Sequence, residues 1–500
     1  MIIDFFFAKE LSFEMWLVCL IVLIMLDGIT ILHILANKYD EPASAILWIF
    51  IVIDLPLLGI FFYLFLGINR LKTTAIKIDK VNKKMTDAKQ EIEGGAFLSY
   101  IAGIMEFNYK SPEDSYMSLL DRLLPNTFPT TGNSINLLED GTSAYPKMLD
   151  AIEKTKKHIH LQSFIINDDE IGNKIFDALE RKSREEGVRV KVIFDRLGSS
   201  NAYSRHFFKK WSRNNKNFEV KAFSKFNLFA PYRIQLRNHR KLLICDGKVA
   251  FIGGINISSE NDATLKAKYI HDLHCEVRGP SVGELQFAFL KDWSYVARID
   301  PEILLEHGDY FLPPENMGES VLRVIPSGPG QSYEASKKLF MTAASMSKKS
   351  LWIITPYFVP DKSFIEAICL TAARGVDVKI IIPLNNNHWY VRYASRGIYD
   401  TIIRANIRVF EKKGMFSHAK AALIDGKWAI MGSSNCDMRS FRLNYELDFT
   451  VESGNFAYQL HRQFQKELAE SQEVTYSDRL NISLYQRFLE NLCSLFTPVL

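Results

Sequence analysis

A short polar pattern occurs twice in this chain, and it dictates how the chain must be built. The first copy reads His239-x-Lys241, then Asp246, then Gly253-Gly254-x-Asn256. The second reads His418-x-Lys420, then Asp425, then Gly432-Ser433-x-Asn435, at identical offsets. The sequence has only 11 His in 500 residues, so a double match is not an accident of composition. Two copies imply two related halves, and what the halves share is chemistry. Two His, two Lys and two Asn brought together suit a phosphodiester. One His attacks phosphorus, the other moves protons, and cations and amides hold the oxygens. The small residues Gly254 and Ser433 let backbone approach a ligand closely, and the amides of Asn256 and Asn435 can donate to phosphate oxygen. Displacement at phosphorus needs charge stabilisation above all, and Lys241 and Lys420 supply it without a metal.

The surroundings of the pattern repeat as well. In the first half, residues 145–156 read as a helix, 158–166 as a β-rich stretch, and a second helix ends at Gly187 before a strand at 188–194. In the second half the same order runs through a helix at 336–347, a strand at 351–354, a helix ending at Gly375 and a strand at 376–382. The expected fold class is therefore α/β, an internal duplication of βαβ type. Each His-x-Lys runs into apolar residues, 242–244 and 421–424, which predicts a strand whose start carries His and Lys on one face. A boundary between halves is expected near Pro313-Pro314-Glu315.

Two apolar runs open the chain, at about 15–35 and 45–67. Each approaches the roughly 20 residues a helix needs to cross a bilayer. The first lacks a basic leader and no small-residue cleavage site precedes the second, so a signal peptide is disfavoured. We therefore expect two transmembrane helices. Beyond them come Arg70, Lys72, Lys77, Lys80, Lys83, Lys84 and Lys89, which place that side in the cytoplasm and give a multi-pass cell-membrane protein with its catalytic part inside. Asp27 and Asp54 fall within the spans. Buried carboxylates there suit helix pairing or contact in a homo-oligomer, with a lipid-substrate role as the alternative. The resulting division is an anchor at 1–70, a basic juxtamembrane linker at 71–125, and repeats at 126–314 and 315–500, the second ending in an amphipathic helix. For that tail, at 483–496, core packing and membrane contact both stay open.

The remaining composition excludes more than it assigns. Hydrophobic content of 47% and charged content of 24% are globular values, and a net charge of +4 is uninformative. The six Cys are scattered, without CxxC or a Cys/His cluster, so we expect a reduced protein with no metal. No Walker A loop, GxGxxG fingerprint or paired-aspartate motif occurs, so no nucleotide or other cofactor is expected. Residues 205–240 are basic and aromatic, with Lys209, Lys210, Arg213, Lys225 and Arg233 among Phe207, Phe208, Trp211, Phe226, Phe229 and Tyr232. Beside apolar spans, anionic lipid is a better partner for them than nucleic acid.

The paired HxK(x)4D(x)6G(G/S)xN pattern resembles the phospholipase D superfamily. Residues 237–243, 253–257 and Asn435-x-Asp437-x-Arg439-Ser440 look like bacterial cardiolipin synthases, as does Leu55-Pro56-Leu57-Leu58-Gly59 in the membrane segment. The likeness covers nearly the whole chain, with Ser417 a minor variation. It implies two phospholipase D-like α/β repeats around a pseudo-twofold catalytic core. It also implies a two-step transfer in which His239 attacks one phosphatidylglycerol and His418 protonates the departing glycerol. His418 then activates a second phosphatidylglycerol, which gives cardiolipin. Which His attacks follows from family position alone. The resemblance further implies a carboxylate for each His downstream of its own motif: Asp272 for His239 and Glu446 for His418. Asp246 and Asp425 are expected to hold the strand and loop. A phospholipase D-type hydrolase shares every one of these residues and stays open as the alternative. A nuclease is disfavoured by the spans, and a non-catalytic scaffold by two intact motifs.

Overall fold

The computed structural model describes residues 13–38, 42–64, 83–84, 95–223, 236–329 and 334–497. The chain divides into two compact units, Met1–Thr74 and Ala75–Leu500.

In the first unit, helix Phe13–Asn37 has 25 residues and is the one helix among those described that is long and apolar enough to cross a membrane. The second apolar run departs from expectation. It forms helix Pro42–Asp54 and a short helix Leu58–Phe62 instead of one unbroken helix, and its end, 65–67, lies outside the described residues. The break falls at Pro56, which has no N–H to give and whose ring collides with the preceding turn, and Leu57 beside it has φ +67°. Gly59 lies so close to the Ile51 carbonyl that a Cβ there would clash with it. Ile34, Ala45, Val52 and Tyr63 pack together, and the Tyr63 hydroxyl lies 2.9 Å from His33 Nδ1.

The second unit is organised around a seam. Strands Pro129–Glu139 and Ser320–Ser327 pair antiparallel there, with Thr130 opposite Leu322. Outward from the seam the first half runs Leu273–Arg278, Val249–Gly253, Leu242–Cys245, His158–Ser163, Arg189–Phe194 and Phe218–Ala222. The second half runs outward in the equivalent order: Glu446–Glu452, Trp428–Gly432, Ala421–Ile424, Ser350–Ile354, Asp377–Pro383 and Arg408–Lys412. Strand Ser471–Val474 adds an antiparallel edge to the second half. Within each half the three outer strands of this shared order are parallel, as βαβ crossovers require. Gly187 (φ +72°) and Gly375 (φ +87°) take the left-handed turn between crossover helix and strand.

Helices Asp140–Lys154 and Glu170–Glu185 cover one face of the first half, and Ala335–Met346 and Lys362–Ala373 cover one face of the second. Helices Ser281–Ala297 and Gly454–Ala469 both enter a central core that draws on strands of both halves, from Ile244 and Ala250 to Leu447 and Phe449.

Residues 95–125 correct the expected linker. Phe97, Tyr100 and Ile104, on one face of helix Gly95–Glu106, are buried in the central core. Helix Tyr116–Leu123 buries Met117 and Leu120 in the second half, and the Tyr116 ring stacks on Trp428 at 3.8 Å. This spacing is an amphipathic helix signal that the basic composition upstream obscured. Of that upstream run, only Lys83 and Lys84 are among the described residues. The aromatic stretch also divides. Phe207 and Phe208 are core residues against Phe176, while Lys225, Phe226, Phe229, Tyr232 and Arg233 lie outside the described residues.

Candidate active site

The repeated Asp anchors the pattern from the far end of its strand. Asp246 and Asp425 each adopt φ +53° in the turn of a β-hairpin. The Asp246 carboxylate accepts the N–H groups of Lys156, Lys157 and His158 at 2.8, 2.8 and 3.0 Å. Asp425 accepts those of Lys348, Lys349 and Ser350 at 3.0, 2.6 and 2.9 Å. Each Asp therefore ties a hairpin to the entry of the neighbouring strand, a full strand length from the imidazole.

The regular strands begin at Leu242 and Ala421, one residue after each Lys. Sequence pattern places His and Lys at the start of the strand; in the structure both precede it, and the His backbone bonds across to the other repeat. The His239 N–H donates to the Tyr445 carbonyl at 2.9 Å, and the Tyr445 N–H to the Arg237 carbonyl at 2.7 Å. The equivalent exchange joins His418 to His271 at 2.7 Å and His271 to Phe416 at 3.0 Å.

These backbone exchanges overturn the expected pairing of carboxylates. Glu446 follows Tyr445 and so meets His239, with its carboxylate 3.0 Å from Nδ1. Asp272 follows His271 and so meets His418, 2.7 Å from Nδ1. Each imidazole is oriented by the opposite repeat. A carboxylate accepts the Nδ1–H, which leaves Nε2 as the nitrogen free for chemistry. The two rings stand 6.5 Å apart, centroid to centroid, at 85°.

Both lysines fold back onto their own His. Lys241 Nζ donates to the His239 carbonyl at 2.6 Å, and Lys420 Nζ donates to the His418 carbonyl. Burial, with Lys420 beside it, lowers Lys241 to about 7; burial lowers Lys420 to about 8 against the pull of Asp272 and Glu446. Burial and the Lys420 charge push His418 down to about 3, and burial lowers His239 as well. Both shifts favour the neutral imidazole. Burial is the first cause at both, and lysine charge adds to it; a phosphodiester anion placed between the two rings would act the other way. Asp272 is held down at about 2 by Lys420 and His418, which outweigh its burial.

The difference between Gly254 and Ser433 acquires a reason. A Cβ at Gly254 would collide with the Asp272 carboxylate, so glycine makes room for it. In the second repeat the Ser433 hydroxyl takes that space, donates to Glu446 Oε2 and accepts the Leu447 N–H at 2.9 Å. Asn256 Oδ1 accepts the Ile165 N–H at 3.1 Å, leaving Nδ2 as its donor end. Asn435 Nδ2 donates to Asp437 at 3.2 Å, so part of its donor capacity serves the protein.

Several partners had no sequence signal. Phe164 sets its edge against His239 at 5.0 Å, and Tyr357 does the same for His418 at 6.1 Å. Arg240 donates to Asp292 at 2.8 Å and to the Glu446 carbonyl at 3.0 Å, tying the segment that carries His239 to both. Their one trace in sequence is an aromatic residue shortly after each repeat's first parallel strand. Glu139, Asp140 and His271 lie close enough to suggest a cation site. Both ring nitrogens of His271 are engaged, however, Nδ1 with Asp140 and Nε2 with Glu467, each at 2.7 Å, so the group is an ion-pair cluster.

Two matched halves, a His and a Lys from each, and carboxylates that reach across the seam define the class: an enzyme of the phospholipase D superfamily. The family described as "Cardiolipin synthase, PLD-like domain" matches residues 148–284 and 340–468. The chain is 32% identical to a cardiolipin synthase of Alkalihalophilus pseudofirmus over 97% of this chain and 95% of that one. It is 32% identical to one from Staphylococcus aureus over 91% of this chain and 90% of that one. It therefore belongs to the cardiolipin synthase family. Among solved structures, phosphatidylserine synthase from Haemophilus influenzae shares the fold, with a TM-score of 0.58 at 14% identity over 77% of this chain and all of the other.

Proposed function

We propose that this chain is a membrane-bound cardiolipin synthase that joins two phosphatidylglycerol molecules and releases glycerol. The observation that carries the reading is the pair of imidazoles 6.5 Å apart, each oriented through Nδ1 by a carboxylate of the other repeat. In the first step His239 Nε2 attacks phosphorus, the bond to glycerol oxygen breaks, and His418 gives its proton to that oxygen. In the second, His418 takes the proton of the terminal hydroxyl of another phosphatidylglycerol. That oxygen attacks phosphorus and the phosphorus–nitrogen bond breaks. Lys241 and Lys420 carry the negative charge on the equatorial oxygens, with the Asn256 amide as a further donor. One phosphodiester is exchanged for a similar one, so no energy source is needed.

Helix Phe13–Asn37 and the broken apolar pair after it suit a hairpin anchor, and the basic run from Arg70 to Lys89 suits a cytoplasmic catalytic unit. Asp27 and Asp54 suit contacts between helices or between copies. The test is to feed labelled phosphatidylglycerol to membranes that hold the protein. Cardiolipin with free glycerol is expected; phosphatidic acid in its place would mean that water, not lipid, takes the phosphatidyl group.

A further inference from the structure

The last described helix is amphipathic with its faces reversed. In Leu484–Ser494 the packed side is Glu490 and Cys493, and it lies on helix Trp389–Arg404. Glu490 is buried and held by Arg479 at 2.6 and 3.1 Å, and Arg479 also donates to Asp400 at 2.6 Å. The opposite side is apolar and open: Leu484 is 88% exposed, Phe488 61% and Leu495 75%. A solvated helix with this pattern would ordinarily turn that side inward. Here an ion pair fixes it outward.

A second exposed aromatic group belongs to the same pair of helices. Trp389 (64% exposed) and Tyr390 start the helix on which the tail packs. Tyr390 lies 5.5 Å from His388, His388 lies 5.9 Å from Tyr357, and Tyr357 lies 6.1 Å from the catalytic His418, all ring to ring. A run of aromatic rings thus leads from the start of the helix beneath the tail to the imidazole.

We propose that this face is an interfacial docking surface for the lipid bilayer, by which the catalytic unit draws phospholipid toward His418; the inference rests on the function proposed above. Trp and Tyr at the rim with Leu and Phe beyond are the side chains that settle at a headgroup boundary.

The test uses the full chain in vesicles of phosphatidylglycerol and phosphatidylcholine, with and without brominated acyl chains. Trp389 emission is isolated as the difference between the parent protein and Trp389→Phe. We expect bromination to quench that difference about twofold or more. An unquenched signal overturns the proposal, as does cross-linking of two copies through Phe488→Cys, which would make the patch a contact between chains. This readout needs no turnover, so it stands apart from the assigned reaction. In a second arm, Leu484→Ser, Phe488→Ser and Leu495→Ser are combined. The ratio of activity on bilayer phosphatidylglycerol to activity on a short-chain, dispersed form should fall about tenfold. An unchanged ratio overturns the proposal.

Discussion

At the scale of single residues, the proposed mechanism divides labour between near-identical groups. His239→Ala removes the proposed nucleophile and should abolish cardiolipin formation; appreciable residual product would refute that role. His418→Asn should let phosphatidyl-enzyme build up, detectable as labelled lipid bound to protein after denaturation. The crosswise carboxylates sharpen this. Glu446→Gln disturbs the attacking His and should slow formation of the intermediate by about 10²- to 10⁴-fold. Asp272→Asn disturbs the proton carrier and should slow turnover comparably while the intermediate still forms in a single-turnover experiment. The reverse result would exchange the two roles. The paired His and Lys were legible in the sequence because they repeat. Their partners were misassigned for a physical reason: a carboxylate 33 residues after His239 (Asp272) looks like its mate, and only backbone bonds across the seam show that it serves the other.

At the scale of elements, periodicity and Gly placement located the paired helices and strands of both repeats to within a few residues at most ends. The strand at 188–194 is observed at Arg189–Phe194, and the one at 376–382 at Asp377–Pro383. The failures share a cause, a local signal outweighed by its neighbours. Pro56 divides an apolar run whose average composition suggests one span, and Tyr116, Met117 and Leu120 form a core face inside a stretch assigned by charge. The repeated Asp residues were read as structural, and each accepts three backbone N–H groups. Asp246→Ala should therefore cost about 3 kcal/mol of stability and lower the melting temperature in detergent, with loss of activity only in proportion to loss of folded protein. A variant fully folded yet inactive would place Asp246 in the chemistry.

At the scale of the whole molecule, His271 links the halves. Its Nδ1 meets Asp140 of the first and its Nε2 meets Glu467 of the second, while Lys412 lies 3.0 Å from the same Glu467. Burial opposes its charge, but the two carboxylates outweigh burial and raise it to about 10. In the unfolded chain it titrates near 6.5. A raised value means the stabilisation is complete below pH 6.5 and fades as pH climbs through 10. Melting temperature should decline over that alkaline range, and the decline should flatten in His271→Gln, which starts less stable at pH 7. An unaltered slope would remove His271 from the linkage. His418, at about 3, and His274, held by burial at about 3, act in the opposite sense. They favour the fold above pH 6.5 and withdraw that support as acid protonates the unfolded chain.

The exchange of carboxylates across the seam reaches beyond the reaction itself. Neither repeat owns a complete catalytic pair, so a gene fragment encoding one half would be inert unless it met a complementary half. Drift in either copy is judged by how well it still serves its twin, and the two are bound to evolve in concert.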